Sequence, residues 1–141
     1  MRYSFGAQSR ARLAGVHPDL VKVAERAIAI SQQDFMVLEG VRSEARQREL
    51  YAQGRTKPGP IVTWTLKSNH FVKGDGFGHA IDVVPYPVDW NTLSKFDAIA
   101  KAMFAAAAEL GVKIRWGADW DRDGKPRERK ETDSPHFELD R

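Results

Sequence analysis

The chain has 141 residues, 42% apolar and 29% charged, which suits one folded domain spanning 1–141 and leaves too little for two separate cores. It has no cysteine, so a disulfide scaffold, a thiol nucleophile and a cysteine-type zinc site are excluded, and any metal site must use histidine and carboxylate. Twenty-two basic against nineteen acidic residues give +3, a mild basicity that suits anionic envelope polymers but lacks the clustered patch of a nucleic-acid-binding domain. The longest clear apolar run is seven residues, 102–108, far short of the roughly 20 that span a bilayer. The opening MRYSFGAQSRAR has no apolar stretch behind its charges, so no secretory signal is expected.

The first predicted element is a helix. His17-Pro18-Asp19 precedes LVKVAERAIAI, in which Leu20, Val23, Ala24, Ala27 and Ile28 recur at helical spacing. Pro18 suits the first turn, and His17 reads as a capping or surface residue. Phe35 to Leu38 is a short strand-like run ending at Gly40. Ser43 would cap a second helix, EARQRELYAQG, stopped by Gly54. Residues 55–62 read as a loop. Two strand-like runs follow, TWTLKSNHF at 63–71 and AIDVVPYPV at 80–88, joined by the Gly-rich VKGDGFGH. Asn91 or Thr92 opens a third helix, roughly 93–110, which stops at Gly111. A strand is predicted from Val112 to Trp116, then a long polar loop, then a short closing strand in HFELD. Helices first and strands later predict an α+β fold, a small antiparallel sheet with helices packed on it. Trp64 and Trp116 read as core or pocket-lining residues.

Three of the four histidines, His70, His79 and His136, fall at strand ends beside Asp82 or Asp133. Imidazole and carboxylate suit a borderline metal such as Zn²⁺, and a catalytic zinc takes three protein ligands and keeps one position open for water. The runs SNH at 68–70, GHAID at 78–82 and DSPH at 133–136 contain enough donors for such a site. Spacing alone leaves open that these are ordinary satisfied polar residues. His79 and Asp82 have an odd separation, so an extended strand points them to opposite faces, and His79 is placed at the rim.

Taken in order, several blocks resemble a known family. Ser68-Asn69-His70 with Gly78-His79-Ala80-Ile81-Asp82 resembles the S-x-H…G-x-A-x-D signature of the zinc D-Ala-D-Ala peptidases, in the lysostaphin/D-Ala-D-Ala peptidase/hedgehog fold group. Asp133-Ser134-Pro135-His136 resembles the family's second block. Gly40-Val41-Arg42-Ser43 with Gln47 and Leu50-Tyr51, and the RWGADW run at 115–120, resemble its other blocks. The length and the SFG…VHPDL opening are similar to single-domain phage endolysins that act as L-alanyl–D-glutamate peptidases. One departure is the link FVKGDGF, seven residues between His70 and Gly78, longer than is usual in the family.

The resemblance implies roles by position. His70, Asp82 and His136 would hold the zinc. Asp133 would be general base to water and then acid to the leaving amine. Arg42 would hydrogen-bond the substrate carbonyl or developing oxyanion, with Gln47 and Ser68 supporting the substrate. The implied activity is zinc-dependent hydrolysis of the L-Ala–D-Glu bond in peptidoglycan stem peptides. A D-Ala-D-Ala carboxypeptidase and a non-catalytic metal-stabilised binding module are the alternatives. The expected setting is synthesis in the host cytoplasm and action, as a monomer, on periplasmic peptidoglycan after the membrane is permeabilised.

A second metal is suggested by the residues themselves. Asp119, Asp121, Asp123 and Gly124 spell D-x-D-x-D-G, the opening of an EF-hand-type Ca²⁺ loop. The twelfth position is Lys130 instead of the bidentate Glu, so the loop is incomplete, and a solvated acidic turn is the plainer reading.

Overall fold

The computed structural model describes residues 3–41, 52–53, 55–56, 74–118 and 134–140. Among the described residues the regular elements are α1 Ala7–Arg12, α2 Pro18–Ile30, β1 Phe35–Glu39, β2 Ala80–Pro85, α3 Leu93–Leu110, β3 Ile114–Trp116 and β4 His136–Leu139. The strands form one antiparallel sheet in the order β1-β2-β4-β3, so the last strand enters between two earlier ones. The expected α+β architecture is what the chain adopts. The expected helix at 44–54 and strand at 63–71 lie outside the described residues.

Helix α2 forms where the periodicity placed it, burying Leu20, Val23, Ala24, Ala27 and Ile28. His17 caps it, its Nδ1 accepting the Asp19 N–H at 3.0 Å. Helix α3 covers the same core with Phe96, Ile99, Met103 and Ala106. Each large side chain so buried stabilises the fold by roughly 1.5–3 kcal/mol. Gly111 ends α3 at φ 70°, with Gly111 N–H on Ala108 O and Val112 N–H on Ala107 O. That pair of bonds is a Schellman motif, which needs the left-handed conformation glycine adopts without strain.

Strand alternation divides the sheet into two faces. Val37, Ile81, Val83, Phe137 and Leu139 face the core with the helices, and the Phe104 ring of α3 meets Phe137 edge-on. Trp116 stacks on Phe137 from β3, as a core tryptophan. The residues between them, Asp82 on β2 and His136 and Glu138 on β4, point to the other face. Among the described strands β1 is an edge, and α1 lies against it: Val37 N–H donates to Ser9 Oγ at 3.1 Å, and Arg12 donates to Val37 O at 3.0 Å. The outward backbone groups of Val37, which could otherwise template strand addition, are thereby occupied.

Gly40 follows β1 in the close approach to α1. A Cβ there would lie 2.0 Å from the Arg12 carbonyl oxygen. Gly40→Ala is therefore expected to destabilise the fold by about 3 kcal/mol, the upper range of overpacking costs. A urea melt with an unchanged midpoint would contradict this.

Two exposed aspartates pin local turns. Asp89 accepts the Asn91 and Thr92 N–H groups on Oδ1, and the Thr92 hydroxyl and Lys95 ammonium on Oδ2. Thr92 is the N-cap of α3, as expected, but its hydroxyl caps no helix N–H and instead binds Asp89, which steadies the turn leading into the helix. The Thr92 hydroxyl first, then the Asn91 N–H and Lys95, hold its carboxyl far below the ordinary range. Asp75 is lowered chiefly by its hydrogen bond with His79. Depressed folded values mean stability that is complete above the unfolded pKa near 4 and lost as pH falls through the folded values. The melting temperature is expected to fall below about pH 4, and less steeply in a D75N/D89N double variant. Parallel acid slopes for the two proteins in thermal melts would refute the assignment.

Candidate functional site

The site is built on the two central strands. Asp82 of β2 and His136 of β4 are direct cross-strand partners. The segment leading into His136 is fastened at three points. Val83 N–H donates to Pro135 O at 2.9 Å, Gly117 N–H to His136 O at 2.8 Å, and the Trp116 indole N–H to Ser134 O at 2.7 Å. The turn at Ser134-Pro135 is thus held by backbone and by a buried ring, and His136 enters the sheet in fixed register.

His136 stands between two carboxylates. Its Nδ1 lies 3.2 Å from Asp82 Oδ1, and its Nε2 lies 2.8 Å from Glu138 Oε1. The side chains of His136, Asp82 and Glu138 are only 10%, 16% and 8% exposed. A bulge between Val37 and Glu39 shifts the β1 register so that Glu39 is opposite Asp82. Bulges re-aim side chains in this way beside functional sites.

The arrangement fits a zinc centre at two of its corners. Two donors on one tetrahedral zinc, each about 2.0–2.1 Å from it, stand roughly 3.3 Å apart. The 3.2 Å between Asp82 Oδ1 and His136 Nδ1 matches that edge. The concentration of carboxylate around one imidazole is also the donor chemistry a divalent cation would balance. Among the described residues no group of three His, Asp or Glu side chains can hold a metal ion. The remaining expected ligand, His70, lies outside the described residues. So do Asp133, Arg42, Gln47, Ser68 and the Asp119, Asp121 and Asp123 run.

His79 takes a different partner. Its Nε2 is 2.7 Å from Asp75 Oδ2, and its ring meets that of His17 edge-on at 5.4 Å. His17 N–H donates to Gly78 O, and Gly78 N–H to Gly15 O. The last part of the long link therefore folds back on the start of α2, with Gly76 at φ 86° turning the chain and Asp75 Oδ1 accepting the Phe77 N–H. Asp82 lies beyond this turn, in register on β2 opposite His136.

Glu138 was not among the expected site residues. Once HFELD is a strand, however, His136 and Glu138 share a face by parity, and that signal was available in the sequence.

Comparison with known proteins gives consistent relatives. The family of phage L-alanyl-D-glutamate peptidases matches residues 1–140. The L-alanyl-D-glutamate peptidase of Escherichia phage T5 is 38% identical over 145 aligned positions, covering 99% of both chains. The peptidoglycan L-alanyl-D-glutamate endopeptidase CwlK of Bacillus subtilis is 31% identical over 112 positions, 75% of this chain and 60% of that one. The crystal structure of the Serratia marcescens L-Ala D-Glu endopeptidase ChiX superposes with a TM-score of 0.75 at 38% identity, covering 99% of this chain and 90% of that one.

Proposed function

Because the chain belongs to the phage L-alanyl-D-glutamate peptidase family, we propose that it lyses the cell wall by hydrolysing the L-Ala–D-Glu bond of peptidoglycan stem peptides, with Zn²⁺ held by His70, Asp82 and His136. The observation that carries the metal assignment is the cross-strand pair Asp82–His136, whose facing atoms are spaced as two ligands of one ion. Zinc bound there would acidify a coordinated water and polarise the scissile carbonyl.

The chain's own residues supply the rest. Asp133 takes a proton from the attacking water and returns it to the leaving nitrogen of D-Glu as the C–N bond breaks. Arg42 donates to the carbonyl oxygen of L-Ala as negative charge gathers on it. Gln47 and Ser68 hold the substrate. The products are a new carboxylate on L-Ala and a free amine on D-Glu. Asp119, Asp121 and Asp123 would form a Ca²⁺ loop upstream of Asp133, so that calcium would order the segment leading to the base.

Among the described residues no helix is long and apolar enough to cross a membrane. We place synthesis in the host cytoplasm and action, as a monomer, on periplasmic peptidoglycan after permeabilisation.

Digestion of purified Gram-negative peptidoglycan, with mass spectrometry of the fragments, tests the reading. Released peptides should begin with D-Glu, vanish with a chelator and return with zinc. Release of free D-Ala would move the activity to the carboxypeptidase alternative. Chelator-insensitive cleavage would remove the metal from the mechanism.

A further inference from the structure

We propose that Glu138 is a positioning residue that fixes the Nε2–H tautomer of His136 and so commits Nδ1 to the metal. This rests on the reading of His136 as a zinc ligand.

A neutral imidazole has one N–H and one lone pair, and His136 has a carboxylate oxygen facing each nitrogen. In this neutral form, the one that ligates a metal, only one of the two contacts can be an N–H···O bond. The Glu138 contact is the shorter, 2.8 Å against 3.2 Å. Glu138 is also 6% exposed, so its contact with the ring is made away from bulk water. Placing the proton on Nε2 makes that contact an N–H···O bond. The opposite tautomer would set a lone pair of Nε2 against Glu138 Oε1 at 2.8 Å and aim an N–H at Asp82, closing the ligand position.

Strand geometry makes the arrangement durable. Glu138 is two residues beyond His136 on β4, so the pleat puts both side chains on one face. Backbone pairing with Ala80 on one side and Arg115 on the other fixes Glu138 in place. The imidazole plane is therefore set before any metal arrives. Carboxylates that hold the distal N–H of a ligating histidine are worth about 10–100-fold in metal affinity.

The test has two arms. In the zinc-free protein, held at a pH alkaline enough to keep the ring neutral, ¹⁵N-resolved NMR of the imidazole nitrogens should show His136 as the Nε2–H tautomer. Zinc competition against a chelator dye should show affinity reduced by about 10–100-fold in E138A and largely kept in E138Q, whose amide oxygen still accepts the Nε2–H. An Nδ1–H tautomer in the wild-type protein would overturn the proposal, as would wild-type zinc affinity in a folded E138A. If E138A does not fold, the wild-type tautomer and E138Q decide the matter: an affinity lost in E138Q together with an Nδ1–H wild type would also overturn it. A wild-type protein that binds no stoichiometric zinc would sink the underlying zinc reading instead, and is distinguishable because the tautomer is read without metal.

Discussion

His136→Ala is expected to yield a protein that retains no stoichiometric zinc and shows no peptidase activity above that of the chelated wild type. The expectation follows from the position of the ring. It supplies the nitrogen that faces Asp82 Oδ1 at 3.2 Å, and no other described imidazole is bonded to Asp82. His79, the nearest histidine in sequence to Asp82, is engaged by Asp75. The substitution also deprives Glu138 of its imidazole partner, and loss of a partner at a buried polar group costs about 1–3 kcal/mol. A modest drop in melting temperature should therefore accompany the loss of metal, without loss of the fold. Elemental analysis after dialysis, circular dichroism and turnover of stem peptide check the three parts separately. A folded His136→Ala protein with one zinc per chain would remove His136 from the ligand set.

Asp133→Asn should behave in the opposite way, with zinc retained and turnover lost. The asparagine keeps the size of the carboxylate and one acceptor oxygen, and loses its charge and basicity. General base catalysis contributes on the order of 10²–10⁴-fold, so kcat should fall by that factor while KM changes little. The adjoining segment is anchored independently of this side chain, through Ser134 O on the Trp116 indole and Pro135 O on Val83 N–H. The variant should accordingly melt close to the wild type. Loss of metal from Asp133→Asn would make Asp133 a ligand instead of the base.

Much of the scaffold was legible because its signals were local. Helix α2 carried an apolar stripe behind a proline, and α3 had a stripe and a glycine stop, so both fell within a residue or two of their predicted bounds. Helix α1 was not expected. AQSRAR has six residues, no capping side chain and only Ser9 buried, so no stripe betrays it; its purpose is to cover the edge of β1. The strand expected at 80–88 stops at Pro85, where the chain turns out and Val88 is 55% exposed. The strand expected from Val112 begins at Ile114. The opening of α3 at Thr92 was legible, whereas the role of Asp89 in holding the Thr92 hydroxyl from three residues upstream was not.

The site was legible differently. Asp82 and His136 are 54 residues apart, and nothing in their spacing says that they face each other. Motif order suggested the pair, and the register of β2 with β4 supplies the physical cause. His17 and His79 illustrate the converse. Both have ring nitrogens available to a metal by composition, yet one caps a helix and both gather around Asp75.

The place of β4 in the sheet has a consequence for biosynthesis. Among the described strands β3 pairs with β4 alone, so β2 and β3, which both precede β4 in the chain, remain unjoined until residues 136–139 leave the ribosome. Asp82 is made 54 residues before its partner, an interval of roughly 3–10 s at ordinary elongation rates of 5–20 residues per second. Throughout that interval the nascent chain lacks the cross-strand Asp82–His136 pair, however well its helices have formed. The pair is completed in one late event, when a four-residue strand slots between β2 and β3.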